Sequence, residues 1–287
     1  YHIIHKMYDN IKSCLSYNGN ISDYFSCNIG LRQGENLSPF LFSLFLNDLE
    51  NFFINENLIG LNTIEDALEE KLDIYVKLFA ILYADDTVLM AESAKNLQLL
   101  LDKFHSYCDV WKMKVNVEKT KIVIFSNGRQ PKNLSFTYDN SVIDIVQEFN
   151  YLGIYFSRNG TFKHCRKHLA EKATKAMYEV IKKGRKHGLS ISCQLDLFDK
   201  LVKPVLLYGC EIWGFGNNDI LERVQLKFCK LLLHLKSSTP NCVIYGELGR
   251  YPINLDIKVR MVSFWVKLVC GKPTKLSATI YKLLFKL

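Results

Sequence analysis

The sequence predicts an α+β chain, in which short antiparallel strands with packed helices give way to a half that is helical throughout. Two observations carry this. Up to residue 156 many apolar residues fall in runs of about four to eight, rich in Ile, Val, Phe and Tyr and bounded by turn residues, as short strands do. From Phe162 onward the apolar residues recur with helical spacing. A boundary near 158–163 separates residues 1–160 from residues 161–287, and 287 residues suffice for two domains.

Taken in order, residues 2–17 set Ile3, Ile4, Met7, Ile11 and Leu15 on one helical stripe, which Tyr17-Asn18-Gly19-Asn20 ends with turn chemistry. Residues 21–31 read as an extended segment ending in Gly30. Ser38 is placed to cap a helix with Pro39 at its first position, and a very apolar helix follows through Phe53. The loop before it, Gly30-Leu31-Arg32-Gln33-Gly34, could hold a phosphate-bearing ligand against a helix N-terminus, or be an ordinary loop before a core helix. Residues 61–73 are polar and acidic, an exposed excursion.

Lys77–Ser93 is the most unusual stretch. Its apolar runs Leu78–Tyr83 and Thr87–Ala91 read as buried strands, and Asp85–Asp86 between them as a hairpin tip. Folding does not require adjacent carboxylates there. Like charges side by side resist ionisation unless a cation or water relieves them, so the tip is either a solvated turn or a divalent-metal site. Ser93 then caps a helix to Trp111, with Leu97, Leu100, Leu101, Phe104, Cys108 and Trp111 facing inward. Strands are expected at Lys121–Ser126, Leu134–Tyr138, Val142–Val146 and Phe149–Phe156, with a turn at Asn127-Gly128. Helices follow at Lys163–His187, Gln194–Tyr208, Asp219–Lys236, Ile253–Cys270 and Lys275–Leu287. The aromatics Trp213, Phe215, Tyr245 and Trp265 are expected to pack in the core.

Charge narrows the function. Lys and Arg exceed Asp and Glu by 37 − 29 = 8. Lys163–His187 alone carries nine Lys/Arg against two Glu, a net +7, which suits a polyanionic partner better than a solvated face of mixed sign. The nine cysteines are scattered and odd in number, so the chain reads as an intracellular, reduced protein; nucleus and cytoplasm are its expected setting. His164-Cys165-x-x-His168 lacks a second ligand pair and reads as part of the basic helix face. No apolar run approaches the roughly 18–20 residues of a membrane span. The chain starts at Tyr1 inside its first helix and is expected to be a fragment.

Together these stretches resemble the reverse transcriptases of non-LTR (LINE-type) retrotransposons. Gly30-Leu31-Arg32-Gln33-Gly34, with Ser38-Pro39-Phe40-Leu41-Phe42 and Asn47-Asp48-Leu49, resembles the family's second palm motif. Tyr83-Ala84-Asp85-Asp86 resembles its metal-binding motif, Asn116-x-x-Lys119-Thr120 its lysine motif, and Phe149-x-Tyr151-Leu152-Gly153 its primer grip. Tyr208-Gly209-Cys210-Glu211-Ile212-Trp213-Gly214 and Tyr245-Gly246-Glu247-Leu248-Gly249-Arg250 are similar to segments that follow the polymerase core.

The resemblance implies a partial polymerase palm over 1–160, then a helical thumb and C-terminal region over 161–287. It implies two-metal nucleotidyl transfer with two Mg²⁺ ions in the complete enzyme, Mn²⁺ being an alternative. Asp85 would be the principal metal ligand and Asp86 its support, since neighbouring strand residues point to opposite faces. Arg32, Gln33, Gly34, Tyr83 and Ala84 would meet the incoming nucleotide, Gly34 through its bare backbone. Lys119 would protonate the departing pyrophosphate. Tyr151, Leu152 and Gly153 would hold the primer, although by periodicity alone they are core strand residues. Lys163, Arg166, Lys167, Lys172, Lys175, Lys182 and Lys183 would follow the duplex backbone. The partners are then an RNA template, a DNA primer and dNTP, with no membrane.

Two departures qualify this. The family's first palm motif, a strand carrying another metal-binding Asp, has no counterpart, because Asp9 sits inside the helical stripe. Fingers and an endonuclease domain are not recognised either, and the chain alone is expected to be inactive. Glu35-Asn36 follows Gly34 where many relatives carry Cys-Pro, a change expected to alter loop stiffness more than chemistry. The rival readings are a non-catalytic nucleic-acid-binding relic and an RNA-dependent RNA polymerase, the latter disfavoured by the Tyr-x-Asp-Asp and Arg-Gln-Gly context.

Overall fold

The apolar stripe at the start of the chain is cut short by a turn. In the computed structural model, which describes residues 2–27, 30–32, 34–58, 60–62, 77–78, 80–83, 85–126, 128, 133–272 and 275–286, helix α1 spans only His2–Tyr8. Asn10 takes φ +57 and ends it. A two-tier hairpin follows, β1 (Lys12–Ser13) pairing with β4 (Phe25–Ser26) and β2 (Ser16–Tyr17) with β3 (Asn20–Ile21). Asn18 and Gly19, at φ +48 and +82, form a two-residue turn whose twist matches paired strands. That turn outweighs the predicted helix over 2–17. A short helix is marginal without a face to bury, and Leu15 stands exposed.

The stretch after Gly34 also departs from expectation. It forms two helices, α2 (Ser38–Phe45) and α3 (Leu49–Asn55), rather than one through Phe53. Ser38 does not cap; it lies in the first turn and its hydroxyl donates to the Arg32 carbonyl at 2.7 Å. The break falls at Asn47–Asp48, residue types whose side chains favour turns and caps over helix interiors. Asp48 is engaged by the Tyr107 hydroxyl at 2.5 Å. α4 (Ala94–Val110) has the predicted Ser93 cap, its Oγ accepting from the Asn96 N–H at 3.1 Å. It buries Leu100, Leu101, Phe104 and Cys108 as predicted, together with Tyr107, against Leu49 and Phe53 of α3. Each such side chain contributes about 1.5–3 kcal/mol when fully buried. Trp111 stays 37% exposed, edge-on to Phe45 at 4.8 Å. β5 (Leu61–Asn62) pairs with β6 (Lys77–Leu78), and β7 (Ala80–Tyr83) with β8 (Asp86–Leu89). Most of the acidic excursion over 61–73 lies outside the described residues.

These elements, through residue 114, form one compact unit; residues from 115 onward belong to a second. There β9 (Lys121–Ile122) runs parallel to β11 (Ser141–Ile145), which pairs antiparallel with β10 (Phe136–Tyr138). Only two residues of the predicted 121–126 strand are paired, and Asn127 of the expected turn lies outside the described residues. The predicted strand Phe149–Phe156 is a hairpin, β12 (Glu148–Tyr151) and β13 (Ile154–Ser157), turning at Leu152-Gly153 with φ +50 and +82.

The helical half is built on α5 (Lys163–Lys186). α6 (Ile191–Leu197) widens into a π-helical turn at Phe198–Val202 before α7 (Lys203–Leu206), where Pro204 has no N–H to continue the ladder. α8 (Cys210–Trp213), α9 (Asp219–Leu232), α10 (Asn241–Leu248), α11 (Ile253–Val269) and α12 (Leu276–Lys286) follow. α5 packs most extensively on α9, around Met177, Phe198, Trp213, Phe228 and Cys229. Phe198 and Phe228 stack with centroids 4.4 Å apart. Trp213 is in this core as expected, whereas Phe215 and Trp265 are 73% and 51% exposed. Among the described residues no helix is long and apolar enough to cross a membrane.

Candidate functional site

The acidic hairpin has the register Ala80↔Leu89, Ile81↔Val88, Leu82↔Thr87 and Tyr83↔Asp86. The last pair is thus Tyr83 with Asp86, which leaves Asp85 in the turn and makes Asp86 the first residue of β8. Both aspartates are exposed, and Thr87, Val88 and Leu89 are half-buried rather than enclosed. Two adjacent carboxylates on an open tip are hard oxygen donors, the type that binds Mg²⁺ together with waters and substrate phosphates. Among the described residues no third His, Cys, Asp or Glu gathers with them. The pair thus fits a divalent ion in donor chemistry, as part of a ligand set. Ala84 lies outside the described residues.

The Arg-Gln-Gly loop is anchored through its arginine. Arg32 Nη1 pairs with Glu35 Oε1 at 2.8 Å, Nη2 donates to the Met7 carbonyl, and the guanidinium lies 5.6 Å from the Tyr8 ring centre. The Tyr8 hydroxyl donates to the other Glu35 oxygen at 3.0 Å. Glu35 therefore does more than alter loop stiffness: it neutralises the arginine. Gly34 has φ +89, and a Cβ there would meet nothing within 4 Å, so its backbone is open to close approach. Gln33 lies outside the described residues.

Asn116 builds the lysine motif locally. Its side-chain oxygen accepts from the Lys119 N–H at 3.1 Å, and its carbonyl accepts from the Thr120 N–H at 3.0 Å and hydroxyl at 2.8 Å. An Asx-type turn of this kind holds its shape from short-range bonds alone. It leaves the Lys119 side chain exposed.

The β12–β13 hairpin holds the expected primer-grip residues. Leu152 is not a core strand residue; it forms the turn and is 37% exposed. The Tyr208 hydroxyl donates to the Leu152 carbonyl at 2.8 Å, and a Cβ on Gly153 would come within 3.1 Å of Tyr208 Cε1. Sequence reasoning assigned Tyr208 no role. The usable signal was the X-Gly pair between two alternating runs, which marks a hairpin and so calls for a buttress.

α5 presents a buried stripe of Cys165, Leu169, Ala173, Met177, Val180 and Ile181, and Lys163, Lys167, Lys172, Lys175, Lys182 and Lys183 are all exposed. Lys167 reaches Glu171 at 4.0 Å. Arg166 is engaged within the fold, its Nη1 donating to the carbonyls of Trp213 and Phe215, both at 3.0 Å. The His164-Cys165-x-x-His168 cluster is not a basic face. Cys165 is fully buried, where burial raises its thiol pKa, and both histidine rings pack on Tyr155, at 4.5 and 4.9 Å. His164 also pairs with Glu148.

Residues 2–156 match the family described as reverse transcriptase (RNA-dependent DNA polymerase). The chain is 25% identical over 216 residues to the RNA-directed DNA polymerase from mobile element jockey of Drosophila melanogaster, covering 73% of this chain and 22% of that protein. The jockey polymerase of Drosophila funebris is 23% identical over 253 residues, covering 85% of this chain, so that similarity extends past residue 156 into the helical half, and 25% of the relative. The Pol polyprotein of the type-1 retrotransposable element R2 of Popillia japonica is 28% identical over 231 residues, covering 76% of this chain and 30% of the relative. The chain thus spans between about a fifth and a third of the length of these relatives. With more than half of its residues matched, and the acidic hairpin and glycine-flanked arginine loop inside that match, the chain belongs to the reverse transcriptase family, of the LINE type.

Proposed function

We propose that this chain supplies part of the palm (residues 1–160) and the thumb with its C-terminal helices (161–287) of an RNA-directed DNA polymerase from a non-LTR retrotransposon. The observation that carries this reading is the β7–β8 tip: apolar strands delivering two exposed, adjacent carboxylates within a stretch that matches the family. Reverse transcriptases use divalent metals; Mg²⁺, with Mn²⁺ as a substitute, is the ion proposed here, held by Asp85 with support from Asp86. When bound, such an ion neutralises phosphate charge and polarises the attacking and leaving oxygens.

The chain's own residues would do the rest. The open backbone at Gly34, with Arg32, Gln33, Tyr83 and Ala84, would receive the dNTP. Arg32 is already paired with a carboxylate, so contact with a triphosphate exchanges one anion for another and keeps the guanidinium bonded. The exposed ammonium of Lys119 would stabilise or protonate the pyrophosphate. Tyr151, Leu152 and Gly153 would contact the DNA primer on its RNA template, and the exposed lysines of α5 the phosphate backbone. Nine free cysteines support an intracellular setting.

The test is primer extension on an RNA template by this chain joined to an upstream segment that restores the first palm motif. Asp85→Ala should lower dNTP incorporation on the order of 10²–10³-fold, the scale of losing one electrostatic partner of a transition state. Equal incorporation by the variant would refute the assignment. Duplex binding with no extension by either protein would favour the non-catalytic reading instead.

A further inference from the structure

We propose that Tyr208 is a positioning residue for the primer end: it locks the Leu152-Gly153 turn so that Leu152 is presented to the terminal base pair of a primer–template duplex. This rests on the polymerase reading above. Leu152 adopts φ +50, a conformation unfavourable for a branched side chain, and Asn would suit this turn better. Turn formation therefore does not explain the leucine. Its side chain is not in the core either, being 37% exposed.

The turn is held from outside. Tyr208 bonds the Leu152 carbonyl, and its ring occupies the space beside the bare α-carbon of Gly153. The Tyr208 carbonyl accepts from Trp213 Nε1 at 2.9 Å, anchoring the tyrosine to the buried tryptophan. Gly209 takes φ +64, and a Cβ there would come within 2.6 Å of Ile154 Cδ1, the residue leaving the turn. Arg166 fastens the far side of α8 through the Trp213 and Phe215 carbonyls. Tyr208 itself is 50% exposed, so it buries little that a core role would need.

The occupant follows from charge and position. β13 packs on α5, and in the first turn of that lysine-bearing helix His164 stacks on Tyr155, just past the Leu152-Gly153 turn, with ring centres 4.5 Å apart. An apolar tip beside cationic phosphate contacts fits the end of a duplex, where a base-pair face is exposed.

The experiment measures binding of the whole chain to an RNA–DNA duplex with a recessed DNA 3′ end and to a blunt duplex of equal length. The intact chain should prefer the recessed end. Tyr208→Phe keeps the ring and loses the hydroxyl. It should weaken recessed-end binding about three- to tenfold, the size of one hydrogen bond, leave blunt binding unchanged, and speed amide exchange at 151–154 but not in α9. Leu152→Asn should raise the melting temperature by suiting the turn, yet weaken recessed-end binding about tenfold through lost apolar contact. That divergence separates contact from scaffold. If the intact chain prefers the recessed end and both variants keep that preference, the proposal is wrong while the polymerase reading stands. If the intact chain does not discriminate, the primer-grip reading fails and takes the proposal with it.

Discussion

Gly184 offers a test in which sign, not size, decides. It lies in the last turns of α5 and is buried. Replacing a helix-interior glycine by alanine ordinarily stabilises by about 0.5–1 kcal/mol. Here a Cβ would stand 2.4 Å from both Cδ and Oε1 of Gln194, and 2.8 Å from its Cγ. That side chain cannot simply swing aside, because it is 9% exposed and its Nε2 donates to the Leu189 carbonyl at 2.9 Å. Leu189 in turn donates its N–H to the Gly184 carbonyl at 2.9 Å, so the helix end, the loop and α6 share one bonded cluster. Breaking the buried hydrogen bond from Gln194 to the Leu189 carbonyl costs about 1–3 kcal/mol, and pushing α6 away costs a similar amount. Net of the helix gain, Gly184→Ala should destabilise by about 1–2 kcal/mol. Urea unfolding followed by far-ultraviolet circular dichroism reads this directly. In a Gln194→Ala background the obstruction is gone, and the same substitution should stabilise. A higher unfolding midpoint for Gly184→Ala alone would refute the packing argument.

Two further outcomes follow from other parts of the second unit. Burial raises the pKa of Glu222 above its ordinary 4.5, with Asp256 and Asp219 adding to it and the Ile253 and Asn254 N–H groups opposing. The folded state then binds the proton more tightly than the unfolded chain. This group's contribution is full below pH 4.5 and is lost as pH rises through the raised value. Glu222→Gln should flatten the fall in stability between acid and neutral pH, and an unchanged slope in pH-dependent melting would contradict it. On α5, Lys175 and Lys182 are exposed, so Lys175→Gln with Lys182→Gln should reduce the slope of log binding constant against log salt by about 2 on duplex nucleic acid. An unchanged slope would place the duplex elsewhere.

What could be read without coordinates was what local chemistry decides. Ser93 caps α4, the inward face of that helix is the predicted one, and α5 begins where expected and ends one residue early. The acidic hairpin was legible because apolar runs flanking a polar pair admit few alternatives. The errors share a cause. Ile11 and Leu15 matched a helical stripe but lacked a partner surface, so Asn18-Gly19 and strand pairing prevailed. The strand expected over Phe149–Phe156 failed because Leu152 accepts a left-handed backbone that its residue type disfavours, held by a tyrosine 56 residues away.

The sequence by itself therefore determined the family, the acidic pair and the basic helix. Motif order and short-range patterning are written in neighbouring residues. Only the tertiary structure decided that Asp86 belongs to a strand while Asp85 belongs to the turn, that Glu35 neutralises Arg32, that Arg166 is engaged by backbone carbonyls, and that Tyr208 holds the Leu152 turn. The reason is range. Register and side-chain partners depend on which distant groups arrive within hydrogen-bonding distance, and no local pattern encodes that arrival.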